Sequence, residues 1–405
     1  MNRSPRSNVR RLAVGRLISM TGGAAAYTAL MFTVWDRTHS GAFQSFTLLL
    51  TFGVTGILGP LTGTLGDRFD RRQVMIWSEV VAAGFYGVMA LVQLPITLVL
   101  LAFGSAVTES PFWSSSAAAI PNLVDTEDDI AWANSLIAIG RNAGIMVGPV
   151  IGGLLVTTVG SSWVFGLNAL TFAVSVLLTL SVRGSFAGRR NHEEEEAHRG
   201  LAAGVRFLWR EQVLRLITIA WVVFVMGAGM GMVADAPLAE KFGAGSLGFG
   251  LLITCWGGGS VLGSVLARKL TSRTEPLWMF VGAVGIAIGH LGVGLAPVYT
   301  AVLVFGLIMG TSDGATIVAE QGIMQRRTPD AVRSRVVAAY EAVLSLGLAF
   351  AYIFGGPALK AFGPQGVYLV GGVAAVITAV VLLPILKLRH DEPVTERPVS
   401  PVAAS

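Results

Sequence analysis

The sequence is poor in charge and almost without lysine or cysteine. Of its 405 residues only 13% are Asp, Glu, Lys or Arg, against about 25% in a soluble domain. Its one cysteine, Cys255, excludes an intramolecular disulfide. Four lysines stand beside 25 arginines, a bias of source composition. There is no Gly-Lys pair and hence no Walker A loop, so ATP drive from this chain is not expected. His192 precedes a run of glutamates with no second histidine at the zinc spacing, and no metal or cofactor is expected. Gly310-x-Ser312-x-Gly314 matches a nucleophile elbow in letters, but it lies inside a long apolar run and not at a strand-turn-helix junction. These absences argue against an enzyme.

What is abundant is apolar sequence: 53% of residues are hydrophobic, 50 are glycine, and the mean hydropathy is +0.67. Twelve apolar runs follow one another, at 11–35, 43–66, 73–94, 96–119, 131–158, 163–182, 213–235, 246–270, 275–295, 297–321, 335–360 and 365–388. Each is near or above the ~20 residues that a helix needs to cross about 30 Å of hydrocarbon. Lipid leaves the backbone no way other than a helix to pair its polar groups, even in Gly-rich stretches. The expectation is an all-α membrane protein of twelve transmembrane helices. The connections at Pro95 and Pro297 are so short that their neighbours form antiparallel hairpins.

The sequence pI of about 9.6 would suggest a nucleic-acid partner in a soluble chain. Here the basic residues collect in alternate short loops, with only Arg37, Lys241 and Lys360 on the other side. That pattern predicts a multi-pass cell-membrane protein with both termini cytoplasmic and no nucleic-acid partner. The long polar interval, 183–212, reads as a solvated linker with an amphipathic helix at 201–211. It separates an N-terminal six-helix bundle, 1–182, from a C-terminal one, 213–390, and 391–405 reads as a disordered tail. A shift of 202 residues superposes Phe103-Gly104 on Phe305-Gly306, Thr126 and Asp128 on Thr328 and Asp330, and Gly153 on Gly355. The two halves thus read as six-helix pseudo-repeats, an arrangement that binds substrate near the midplane between halves.

Between runs 2 and 3 lies GTLGDRFDRR, Gly63 to Arg72, five charges at the edge of a membrane-length segment. In run 5, Gly140, Gly144, Gly148 and Gly152 recur every fourth residue, giving a smooth face for close helix packing. Pro149 within that ladder removes a backbone hydrogen bond and invites a bend.

The loop Gly63-x-Leu65-Gly66-Asp67-Arg68-x-x-Arg71-Arg72 resembles the signature loop of the major facilitator superfamily, with Asp70 where that family usually carries glycine. Gly144-x-x-x-Gly148-Pro149-x-x-Gly152-Gly153 resembles the pattern of its exporting antiporters. Ile120 to Val124 and Ala133 to Leu136 are similar to the drug:proton antiporter branch that includes macrolide and siderophore exporters. The resemblance covers the whole chain, although the second-half counterpart of the loop, Gly263 to Arg273, lacks the aspartate. It implies a proton-coupled exporter of small lipophilic molecules working by alternating access, with a nutrient symporter of the same fold or a non-transporting membrane sensor as alternatives. A monomer is expected.

The resemblance further implies that Gly63, Asp67, Arg68, Arg71 and Arg72 form a cytoplasmic gate. Asp67 would reach the start of span 11 near Arg333 to Arg335, and the arginines would pair with Asp125, Asp128 and Asp129; the bland alternative is that they only set topology. Ionisable groups deep in spans cost several kcal/mol in lipid and so mark function. Glu109 and Arg141 come to similar depth on antiparallel spans 4 and 5, as an ion pair or with Glu109 as proton carrier. Asp313 in span 10 has no evident basic partner, which suits a proton-coupling group. Arg16, Glu79, Glu320 and Glu341, nearer the ends, read as gate or snorkelling charges. The family's cavity between spans 1, 4, 7 and 10 would be lined by Tyr27, Trp113, Trp221, Phe224, Met226 and Met230, each of which could equally be packing.

Overall fold

The computed structural model describes residues 5–54, 69–124, 126–182, 186, 201–329 and 332–387. Its described regular structure is entirely helical. The elements are α1 (Pro5–Thr38), α2 (Gly41–Leu48, continuing as a π-helical turn over Leu49–Val54), α3 (Arg71–Leu91), α4 (Pro95–Ala119), α5 (Glu127–Val159) and α6 (Ser161–Ser181). Then come α7 (Leu201–Arg210), α8 (Gln212–Ala228), α9 (Gly231–Lys241), α10 (Gly245–Ala267), α11 (Glu275–Leu295), α12 (Tyr299–Arg327) and α13 (Arg333–Leu382).

These helices account for the twelve apolar runs in three ways. Most runs are single helices. Run 7 is α8 and α9 together, joined by a tight turn at Gly229 and Met230 whose backbone stays helical (φ −60°, ψ −24° and φ −63°, ψ −25°). Runs 11 and 12 are the two parts of α13, separated at Gly363 (φ 68°, ψ 174°), a backbone that suits glycine and is followed by Pro364. Run 2 begins at α2, and 55–66 lie outside the described residues. The short connections hold as expected: α3 ends at Leu91 and α4 begins at Pro95, while α11 ends at Leu295 and α12 begins at Tyr299.

The helix expected at 201–211, at the end of the polar interval 183–212, is present as α7 (Leu201–Arg210). There Gly204 lets α7 approach the Arg335 backbone and Ala339 of α13, and Leu208 enters the apolar core of the second half. Residues 187–200 and 391–405 lie outside the described residues.

The arginine-rich ends of the helices gather at one end of the bundle, here the basic end. Arg6 pairs with Asp129 at 3.0 Å, Arg11 donates to the Ser181 carbonyl at 2.9 Å and Arg72 to the Leu180 carbonyl at 2.7 Å. Arg326 pairs with Glu275, and Arg327 with Glu211 at 3.5 Å. Each of these bonds stays within one half of the chain.

At the opposite end the two halves meet along two seams. One joins α5 to α10: the Ser246 hydroxyl donates to the Gly153 carbonyl at 3.0 Å, and Thr254 to the Met146 carbonyl at 3.0 Å. The other joins α13 to α2, where the Gly356 amide donates to the Ser45 hydroxyl at 2.7 Å. Span 5 on span 8 and span 11 on span 2 are equivalent pairings under a two-fold exchange of the halves. Trp35 of α1 donates across the same end to Glu240 of α9, and His39 lies 3.3 Å from Glu240. Beneath these bonds an apolar cluster spans both halves, with Met31 and Leu48 from the first and Val233, Leu238, Phe249 and Tyr352 from the second.

Candidate functional site

The first half assembles its charges around Arg16. Arg16 lies on α1, only 5% exposed, and its guanidinium stacks 3.8 Å from the Phe112 ring centroid and 4.3 Å from that of Trp113, both on α4. Its charge interacts with Glu79 of α3 and Glu109 of α4. Each acid is held by a serine: Ser175 donates to Glu79 at 2.5 Å and Ser105 to Glu109 at 2.7 Å. The second oxygen of Glu79 is buried without a hydrogen-bond partner among the described residues. Burial of this kind is incompatible with snorkelling, so Arg16 and Glu79 are internal members of a charge cluster and not interfacial charges.

The expected pairing of Glu109 with Arg141 does not form in this arrangement. Arg141 is exposed on α5 and bonds only loosely, at 3.4 Å, to its neighbour Asn142. Arg141 does not point toward Glu109. The ladder Gly140, Gly144, Gly148 and Gly152 turns toward α1, and a residue one step beyond Gly140 points about 100° away from it.

That ladder is the tightest contact of the first half. A Cβ added at Gly140 would lie 2.8 Å from the Ala13 carbonyl oxygen, at Gly144 2.7 Å from Met20 Cβ, at Gly148 2.6 Å from Ala24 Cβ, and at Gly152 2.5 Å from the Ala25 carbonyl oxygen. Pro149 and Gly153 lie on the adjacent face and meet Gly250 and Ser246 of α10 in the seam between halves. The motif is thus two-sided, with one row of glycines for α1 and the Pro149–Gly153 edge for the opposite half.

In the second half Asp313 sits half-buried at the middle of α12, and no cation among the described residues interacts with it. Glu320, two turns further along the same face, interacts with Asp313 and with Tyr340 of α13. The lining residues expected from the family divide. Trp113 is 38% exposed beside Arg16. Trp221 is buried in the apolar core of the second half, edge-on to Phe224 at 5.1 Å, and Phe224 stands edge-on to His290. Met226 packs near Gly347. Tyr27 and Met230 belong to the apolar cluster that closes the opposite end, Tyr27 standing edge-on to Phe52 at 5.7 Å.

Of the signature loop, Gly63, Asp67 and Arg68 lie outside the described residues, as does Asp125. Arg71 opens α3, and Arg72 is spent on the Leu180 carbonyl and the face of Phe186, 5.7 Å away. Asp129 pairs with Arg6, so the expected partnership of Arg72 with Asp129 is absent here. Asp70 has an explanation of its own: at φ −60°, ψ 120° it is extended, not left-handed, and its carboxylate accepts from the Gln73 amide at 3.0 Å as the N-cap of α3. Asp70→Ala is expected to cost about 1 kcal/mol, read as a lower thermal midpoint in detergent.

Sequence reasoning passed over Asp235. It occupies the middle of α9, accepts a hydrogen bond from the Tyr368 hydroxyl, and has no cation partner among the described residues. The available signal was an acid placed within an apolar run, obscured because run 7 was taken to end at that residue.

The profile of the transmembrane secretion effector family matches residues 55–403. The enterobactin exporter EntS of Escherichia coli (strain K12) is 25% identical over 390 residues, covering 94% of this chain and 92% of that protein. EntS of Shigella boydii serotype 4 (strain Sb227) is 24% identical over 379 residues, covering 92% of this chain and 86% of that protein. Among solved structures, the nucleoside transporter NupG superposes with a TM-score of 0.75 at 13% identity, over 96% of this chain and all of that one. An inward-facing bacterial homologue of the iron transporter ferroportin superposes with a TM-score of 0.71 at 16% identity, over 95% of this chain and all of that one. The fold is that of the major facilitator superfamily, and the protein is a multi-pass membrane transporter rather than an enzyme. With most of its length matched, the chain belongs to the transmembrane secretion effector family of the major facilitator superfamily.

Proposed function

We propose that the protein is a secondary active exporter of small lipophilic molecules, of siderophore or drug type, driven by proton antiport. The observation that carries the reading is similarity along almost the whole chain to proteins named as enterobactin exporters. The geometry supports it. The halves are bonded at the end remote from the basic loops, while every bond described at the basic end stays within one half. With the basic end cytoplasmic by the positive-inside rule, this is an inward-open state, ready to receive a molecule from the cell.

Proton coupling is supported by acids placed within the spans of both halves: Glu79 and Glu109 around Arg16, and Asp313 with Glu320 on α12. Acids within transporter spans mark ion pathways and proton relays. Asp67, Arg68, Arg71 and Arg72 are proposed to latch the basic end when it closes. In that step Arg72 would exchange its carbonyl contact for an acid of the loop before α5.

The test is flux in vesicles of purified protein with an imposed proton gradient, using enterobactin and a lipophilic cationic dye as probes. Uphill movement of either is the expected result, and gradient-independent movement of both overturns the reading. In the same assay Asp313→Asn is expected to lower gradient-driven flux at least about a hundredfold, the scale of a general acid-base role. Full activity of that variant removes Asp313 from the coupling path.

A further inference from the structure

We propose that Asp235 is a proton-binding residue of the seal at the opposite end, and that taking up a proton there closes the outer side. The inference rests on the antiport reading. It adds to it a specific group, placed in the seal itself and not in the central clusters around Arg16 and Asp313.

Asp235 lies on α9, the short second half of span 7, joined to α8 by the tight turn at Gly229 and Met230. Its neighbours Val233, Ala234, Ala236 and Leu238 all belong to the apolar cluster that joins the two halves. The acid is therefore embedded in the contact that must part when the outer side opens. The groups facing it are phenols from three elements: Tyr27 of α1, Tyr299 of α12 and Tyr368 of α13. Tyr368 donates its hydroxyl to the carboxyl group. Around this ring, His290 of α11 packs 5.9 Å from Tyr368, Tyr352 of α13 donates to Met232 beside Asp235, and Cys255 of α10 interacts with Tyr299. No arginine or lysine among the described residues interacts with Asp235; Lys241, on the same helix, bonds to Gln365 at the rim.

The chemistry gives a direction. An ionised carboxylate without a cation is expensive in an apolar, closed setting, and a neutral one is not. When the halves part, water reaches Asp235 and the carboxylate is solvated. A proton taken from outer water onto that carboxylate makes reburial favourable, and Tyr27 of the first half returns beside it. Closing the outer side upon protonation is the step that carries a proton inward in exchange for a substrate already released. The Trp35 and His39 contacts to Glu240 sit outside this group and form the rim.

The test reads the seal directly. Cys255→Ser removes the native thiol, and spin labels are placed at Leu94 and Val298, exposed residues in the short outer turns of the first and second halves. In the otherwise native chain, the label separation is expected to lengthen as the buffer passes from acid to alkaline. Asp235→Asn, a permanently neutral isostere, is expected to lose that lengthening and stay short throughout. Tyr368→Phe, which keeps the packing and removes the donor, is expected to shift the pH midpoint without abolishing the change. A pH-dependent separation that is unaltered in Asp235→Asn overturns the proposal, as does an unaltered midpoint in Tyr368→Phe. The vesicle assay separates the two ideas: gradient-driven flux in the native chain with an unaltered seal response in Asp235→Asn sinks only the role of Asp235. No gradient-driven flux at all, with the seal response lost in Asp235→Asn, sinks the antiport reading and leaves the proton-binding seal standing.

Discussion

Gly152→Leu is expected to leave little folded protein in the membrane and no measurable transport. The missing side chain at Gly152 is occupied by the backbone of α1: a Cβ there would lie 2.5 Å from the Ala25 carbonyl oxygen, 2.6 Å from its Cα and 2.9 Å from its carbonyl carbon. Backbone cannot rotate out of the way as a side-chain tip can. The whole of α5 would have to move off α1, and with it the ladder contacts at Gly148 and Gly144. Overpacking of a tight contact costs about 1–3 kcal/mol when side chains can adjust, and more when they cannot. In lipid this packing is a principal source of association between helices, because burying apolar surface gives no advantage over leaving it in acyl chains. The control is Gly23→Ala, on the same α1 helix, where an added Cβ meets nothing within 4 Å. That change is expected to be neutral or to stabilise by up to about 1 kcal/mol through reduced unfolded-state entropy. Thermal unfolding in detergent, followed by monodispersity on a sizing column, compares the two. Equal stability of Gly152→Leu and Gly23→Ala would show that the close contact of α1 with α5 does not hold the first half together.

Much of this architecture was legible from hydropathy, because a bilayer reduces the structural choices to apolar helices of a given length. The runs at 73–94 and 275–295 correspond to α3 and α11 within a few residues. The glycine ladder was legible for a similar reason, since a four-residue repeat of glycine has one physical use in a membrane helix. What sequence could not supply was azimuth. The rise per residue places Glu109 and Arg141 at one depth, but which of two basic residues faces the acid depends on helix rotation, and that is set by the ladder's own contact with α1. The same contact brings Arg16 inward. The α8–α9 turn falls among Gly227, Gly229 and Gly231, a local sign of it, and with run 7 ended at 235 Asp235 read as a terminal residue. Asp70 stands out only against the family pattern; its local role, an N-cap, is the ordinary one for aspartate before a helix.

Arg16→Leu is expected to be the most damaging single change to the charge cluster. The guanidinium is the cation shared by Glu79 and Glu109, and its stacking on Phe112 and Trp113 fixes it between them. Removing one partner of a buried ionic group leaves the other uncompensated, at a cost of about 3–5 kcal/mol. Here two carboxyl groups lose their cation at once, and one oxygen of Glu79 already lacks a hydrogen-bond donor. Both would be driven to remain neutral, which also removes them from any proton cycle, so gradient-driven flux should fall at least about a hundredfold. The structural and coupling consequences are separable. Arg16→Leu combined with Glu79→Gln and Glu109→Gln removes the stranded charges, and is expected to recover most of the lost thermal stability because the three sites share one network. It should recover none of the gradient-driven flux, since no titratable group remains there. Arg16→Lys tests the stacking: a compact ammonium keeps the charge but not the planar contact with Trp113, and should fall between the native chain and Arg16→Leu in both measurements. If Arg16→Leu melts with the native chain and transports at its rate, the cluster is neither a structural nor a coupling element. If the triple variant recovers flux together with stability, Arg16 serves the fold alone and proton transfer must be sought at Asp313 and Asp235.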